Sequence, residues 1–185
     1  MPRVRWVLVV AALTAGCVSS AAPLRFGDTL GFEDGPGALT EPWGGGGAGY
    51  ERTLVCADAP EGACVARIES VVSPVPAGGF ASVTQCVGDA GVLAGKRVRL
   101  SGLLRTEDVS GYAGFWLRVD SVAQEAPPRA FDNMEAKHLD GTTPWTRHDV
   151  TLEVPADDIG GACFGFLLGG AGRVDADDLT FEVLD

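Results

Sequence analysis

Apolar and polar residues alternate along this chain with a period of two. Val98, Leu100, Gly102 and Leu104 alternate with Arg97, Arg99, Ser101, Leu103 and Arg105. Phe115, Leu117 and Val119 then face one way, and Trp116, Arg118 and Asp120 the other. A strand places successive side chains on opposite faces, so this pattern predicts half-buried β-strands. Short runs of the same kind predict strands over 24–33, 49–57, 64–72, 80–87, 96–106, 113–121, 130–134, 148–154, 162–168 and 174–184. The 26 glycines and 11 prolines punctuate them, and no stretch beyond the first 22 residues reads as a helix. About ten short strands without helical interludes predict an all-β fold, a single antiparallel β-sandwich of jelly-roll type. Residues 36–50 read as a loop. Its run Gly44–Gly47 precedes no helix and lacks a lysine, so it is expected to be a flexible loop rather than a phosphate cradle. For Trp43 in that loop, exposure at the rim and packing are both open.

The N-terminus has a different pattern. Arg3 and Arg5 precede an apolar and small-residue run over 6–14, which ends in Leu13-Thr14-Ala15-Gly16-Cys17. A basic flank, a short apolar stretch and small residues make an export signal. The run is shorter than the ~20 residues that span a bilayer. The final five residues resemble a bacterial lipobox, with Thr14 where leucine is usual. The reading is a signal peptide over 1–16, Cys17 as the lipidated first residue, a tether over 17–23 and the jelly-roll domain over 24–185. The alternative is ordinary cleavage after Ala21, giving a secreted or periplasmic protein. Losing residues 1–16 removes Arg3 and Arg5, which leaves 12 basic residues against 25 acidic ones, a net charge of −13. Such a surface repels phosphate backbones and anionic lipid, so nucleic acid is excluded as a partner and membrane contact is expected only through the lipid. Four cysteines remain, an even number in an oxidising compartment. Cys56 and Cys64 flank a polar turn. The cheapest loop closure therefore pairs them and leaves Cys86 with Cys163. The spacing lacks the CxxC pairs of a zinc site.

Several segments carry a family resemblance. Gly31-Phe32-Glu33 and Asp177-Asp178-Leu179-Thr180-Phe181-Glu182 resemble the opening and closing strands of galactose-binding-like jelly rolls, a fold shared by many carbohydrate-binding modules. The middle is more specific: Gly95-Lys96-Arg97-Val98-Arg99-Leu100-Ser101-Gly102, Gly114-Phe115-Trp116-Leu117-Arg118-Val119-Asp120, Phe131-Asp132-Asn133-Met134 and Gly141-Thr142-Thr143-Pro144-Trp145. This series is similar to an uncharacterised bacterial jelly-roll module found beside helix-turn-helix regulators and beside C-terminal-processing-type serine peptidases. The resemblance implies the fold. It implies little about function, which lives in sites grafted on folds.

The candidate site is the polar face of the central strands. Gln85, Arg99, Trp116, Arg118 and Asp120 are expected there, with Asp132 and Asn133 joining from the next strand. An indole with planar polar neighbours suits a sugar, whose C–H face stacks on the ring while its hydroxyls need donors and acceptors. The competing reading is a salt-bridge ladder with Trp116 packed into it. Trp145, after a turn, is expected to plug the end of the sandwich. No cofactor is required. Glu33 and Asp178, on the first and last strands, are the candidate ligands of a structural Ca²⁺, against the alternative of hydrogen-bonded carboxylates. Catalysis finds no pattern: His138 and His148 lie in no metal-protease motif, and Asp157-Asp158 and Asp177-Asp178 are neighbours that point to opposite faces. The sequence thus points to a non-catalytic envelope domain that binds a carbohydrate or other envelope polymer. The alternative is a structural or protein-interaction sandwich.

Overall fold

The computed structural model describes residues 30–123 and 125–184. The expected signal peptide, the expected lipidation site Cys17, the expected tether and residues 24–29 of the expected first strand lie outside the described residues. Among the described residues nine strands follow: β1 (Gly37–Ala38), β2 (Tyr50–Val55), β3 (Val65–Ser70), β4 (Phe80–Val87), β5 (Arg97–Val119), β6 (Ala130–Asp132), β7 (Leu139–Glu153), β8 (Ala162–Gly169) and β9 (Arg173–Val183). All pairings are antiparallel, in the order β1-β2-β3-β9-β5-β8-β4, with β6 and β7 also on β5. Among the described residues the helical elements are two single 3₁₀ turns, Gly91–Leu93 and Glu135–Lys137. No described helix is long and apolar enough to cross a membrane. This is the expected all-β jelly-roll sandwich.

The two expected strands 96–106 and 113–121 are one strand, β5, of 23 residues. Its first half pairs with β9 and the second half of β7. Its second half pairs with β8, β6 and the start of β7. β5 therefore belongs to both layers. Its inward residues are even-numbered at first (Val98, Leu100, Leu104, Thr106) and odd-numbered later (Val109, Ala113, Phe115, Leu117, Val119). Register shifts lie between these phases. A bulge that swaps faces lets one strand pass from sheet to sheet and keep its apolar side inside. β7 extends well before the expected 148–154. Its first half, Asp140 to Thr143, has no buried residue and so no alternation to read. Leu30 and Phe32 are buried, but residues 30–33 form no strand.

The Gly44–Gly47 run departs from the expected flexible loop. The Gly44 N–H donates to the Thr84 carbonyl at 2.8 Å, the Thr84 N–H returns to the Gly44 carbonyl at 3.0 Å, and the Ser82 N–H donates to the Gly46 carbonyl at 2.9 Å. The run thus covers the edge of β4, a backbone row that would otherwise invite pairing with another chain. Close approach explains the glycines: a Cβ on Gly45 would lie 2.0 Å from the Ser82 carbonyl oxygen. Trp43 is packed, not exposed. It is 5 % exposed, with its ring 5.1 Å from Phe32 and 6.2 Å from Phe164. Phe164 in turn stacks at 4.9 Å on Phe181. Both expected disulfides are present, Cys56–Cys64 and Cys86–Cys163, the latter directly across the β4–β8 pair. Such bonds persist in oxidising compartments, which suits an exported domain.

Candidate functional site

The second sheet, β4-β8-β5 with β6 beyond, carries a trough on its outer face. The register sets its cross-section. Thr84 of β4, Gly165 of β8 and Trp116 of β5 form one row; Ser82, Leu167 and Gly114 form the next; then come Phe80, Gly169 and Tyr112. At the other end Cys86, Cys163 and Arg118 complete the series. The β8 positions from Gly165 to Gly169 are buried, while the residues of β4 and β5 that point the same way are mostly half-buried or exposed. The floor is low at Gly165 and Gly169, which lack side chains, while in the row between them Met134, itself buried, packs against Gly114. Gly165 must be glycine, since a Cβ there would lie 1.9 Å from the Val83 carbonyl oxygen.

The walls differ in chemistry. On the β4 side Ser82 Oγ and Thr84 Oγ1 share a hydrogen bond of 3.0 Å. On the β5 side stand the rings of Tyr112 and Trp116. The Trp116 Nε1–H is buried and has no protein acceptor among the described residues. Such a donor is costly unless something accepts from it. Tyr112 Oη accepts from Asn133 Nδ2 at 3.1 Å, and His138 packs edge-on against the Tyr112 ring at 5.7 Å. Burial pushes the Tyr112 phenol above its ordinary value, so it stays a neutral hydroxyl. At the charged end Arg118 pairs with Asp120 at 2.9 Å, and both line a cavity of about 530 Å³ with Ser121 and the Cys86–Cys163 disulfide. Phe131 lies opposite Arg118 and is exposed.

The seven expected site residues do not all converge. Trp116, Arg118 and Asp120 share the trough, and Asn133 reaches it through Tyr112. Gln85 is a correction. It shares the phase of Ala81 and Val83, lies 9 % exposed beside Phe164, and faces the interior. Arg99 is a second correction, because the face change within β5 puts it on the outer surface of the first sheet. There it binds Glu182 at 2.5 Å through Nη2. Asp132 turns away from Arg118, into register with Leu117, and its Oδ1 accepts the Met134 N–H at 2.7 Å. Phe80, Ser82, Thr84, Tyr112 and Phe131 were missed. The alternation in 80–87 carried the signal for three of them, had Gln85 been read by phase rather than by polarity.

The first sheet's outer face is a charge lattice. Asp175, 1 % exposed, accepts from Arg67 at 2.7 Å and from Arg105 at 2.7 Å. The Arg105 guanidinium sits 4.7 Å over the Trp145 ring, so Trp145 packs on this face rather than plugging the sandwich end. Glu33 and Asp178 each have a protein partner. Glu33 Oε2 accepts the Ala63 N–H at 2.7 Å, and Asp178 pairs with Arg147. The neighbouring Asp177 is buried, which pushes its carboxyl above the ordinary value, and it accepts the N–H groups of Glu61 and Asp178. No group of three His, Cys, Asp or Glu residues among those described is placed to hold a metal ion. As folded, these carboxylates are engaged by backbone donors and an arginine.

No known family profile matches the chain. The uncharacterised helix-turn-helix-type transcriptional regulator YbfP of Bacillus subtilis (strain 168) is 40% identical over 91 residues, which is 49% of this chain and 30% of the regulator. Solved structures match more fully. The xylan-binding CBM22-1 domain of Paenibacillus barcinonensis Xyn10C superposes with a TM-score of 0.53 at 12% identity, covering 84% of this chain and 92% of that one. TmCBM61, solved with β-1,4-galactotriose, gives 0.52 at 15% identity over 86% and 98%. A cyclase from Fischerella sp. TAU gives 0.57 at 14% identity over 84% and 94%. At such identities the likeness is one of fold. The chain has the jelly-roll sandwich architecture that carbohydrate-binding modules share with this cyclase.

Proposed function

We propose that this domain is a non-catalytic carbohydrate-binding module that holds a glycan in the trough of the second sheet, displayed at the cell envelope on the lipid of Cys17. The carrying observation is the row Thr84–Gly165–Trp116. It sets an indole with an unanswered N–H across a glycine floor from a pair of hydroxyls. A sugar ring has an apolar C–H face for the indole and hydroxyls for Ser82 and Thr84. The xylan- and galactotriose-binding names of two fold relatives support this ligand class and suggest the first probes. The acidic domain makes neutral glycans better candidates than polyanions.

Binding to a glycan array and to xylose and galactose oligomers tests the reading. Trp116→Ala should weaken binding by about 1 kcal/mol, the scale of an aromatic contact, with an unchanged circular dichroism spectrum. The second reading, a structural or protein-interaction face, draws on the Arg118–Asp120 pair and the half-burial of Trp116. It stands instead if the wild type binds no glycan and Trp116→Ala unfolds the domain. The anchor has its own test: Cys17→Ala should leave the membrane fraction or stay unprocessed, and wild-type fractionation would refute lipidation.

A further inference from the structure

The Trp116 row is one end of a repeated arrangement. Two rows along the strands, Phe80 and Tyr112 flank Gly169 as Thr84 and Trp116 flank Gly165. Strand geometry sets the two rows ~13 Å apart, four residues along. Phe80 and Tyr112 stand on strands two spacings apart, ~10 Å at the backbone. The space between them is free of side chains, because Gly169 has none. A Cβ on Gly169 would lie 3.4 Å from the Tyr112 ring, so the ring leans over the glycine. Phe80 is 60 % exposed, an aromatic ring presented to solvent at the start of edge strand β4. Together with Val75, Pro76 and Gly170 these residues line a cavity of about 450 Å³, within the range of small-ligand sites. The Tyr112 hydroxyl accepts from Asn133 and keeps its own proton to donate.

We infer that the trough has a second ring-stacking subsite between Phe80 and Tyr112, so that the ligand is a linear oligosaccharide or polysaccharide lying along β8 rather than a single sugar. This rests on the reading of the trough as a glycan site. A single pyranose occupies one aromatic–glycine row. Only a chain of linked rings reaches both. The rings select the class through their faces: each stacks on C–H groups and tolerates the sugar's identity, while Ser82 between the rows takes hydroxyls of the intervening unit and Thr84 those of the unit on Trp116.

The experiment is calorimetric titration of the whole mature protein with β-1,4-linked xylose and galactose oligomers, from the monosaccharide to the hexasaccharide. Affinity for one of the series should rise with length until both rows are filled. Phe80→Ala, at a solvent-facing position, should keep the fold but lose about tenfold on the hexasaccharide, so that affinity no longer rises with length. Phe80→Trp should restore the length dependence. Trp116→Ala should weaken ligands of every length. Equal binding by Phe80→Ala and wild type across the series, with Trp116→Ala still impaired, overturns the second subsite and leaves the glycan function intact. Length-independent affinity in the wild type overturns it too. If neither variant alters the wild type's binding, the sugar lies outside the trough and both readings fall. They fall together also if the wild type binds no oligomer of either series.

Discussion

Asp175 is one carboxylate shared by two guanidinium groups, and it is nearly inaccessible to water. Burying a charge is tolerated only when it is paired and hydrogen-bonded, as it is here on both oxygens. Removing the partner of such a pair is strongly destabilising, because the remaining charge loses its compensation. Asp175→Asn should therefore cost about 3 kcal/mol in urea unfolding, more than replacing the exposed Arg99–Glu182 pair, which solvent screens. At Gly165 the constraint is steric. Gly165→Ala drives a methyl into the Val83 carbonyl, and should lower stability by about 2 kcal/mol as the trough floor distorts. His148 gives a pH signature. Burial and the nearby Lys137 lower its pKa from 6.5, with Asp149 opposing. The folded protein then binds this proton less readily than the unfolded chain. Stability from the neutral ring is complete above the unfolded value of 6.5 and is lost as pH falls from there through the lower folded value. The melting temperature should drop as pH falls below 6.5, and drop less in His148→Gln.

At the scale of elements, alternation made most strands legible. Expected and observed bounds coincide for β4 and differ by a residue or two for β2, β3, β8 and β9. The single long strand was not legible, because its polar middle, Glu107 to Gly111, reads as a turn. There the chain changes sheet through bulges, and pairing with β7 and β9 overrides the local signal. That one misreading explains why Arg99 was grouped with Trp116: the two lie on one strand but on opposite surfaces of the sandwich. The Gly44–Gly47 run illustrates a second limit. Its glycines answer a neighbour distant in sequence, β4, and composition alone cannot distinguish close approach from freedom. The trough's Trp116, Arg118 and Asp120 were legible from one strand's alternation. Its floor and far wall were not, since the β8–β4 register comes from pairing across the fold. The disulfides were legible from compartment and spacing, and their contributions should differ. Cys56–Cys64 closes a separation of 8 residues and Cys86–Cys163 one of 77. Loop-closure entropy then predicts losses of about 2.5 and 4.5 kcal/mol when each pair is replaced by alanine, measured by urea unfolding.

For the whole molecule, the carboxylate arrangement around Glu33, Asp177 and Asp178 bears on calcium. If these groups remain engaged with backbone donors and Arg147, the melting temperature should be the same in excess Ca²⁺ and in chelator. A rise with Ca²⁺ would show that the carboxylates rearrange around the ion. The sandwich should unfold in a single transition, with circular dichroism and tryptophan fluorescence coincident, because β5 hydrogen-bonds into both layers. The same continuity bears on how the domain carries load. A polymer held against Tyr112 and Trp116 and drawn away from an anchored domain would pull on β5. That strand has backbone ladders to β8 on one layer and to β7 and β9 on the other. Tension applied at the trough would be shared as shear across both layers at once, and no seam between them would be free to open first.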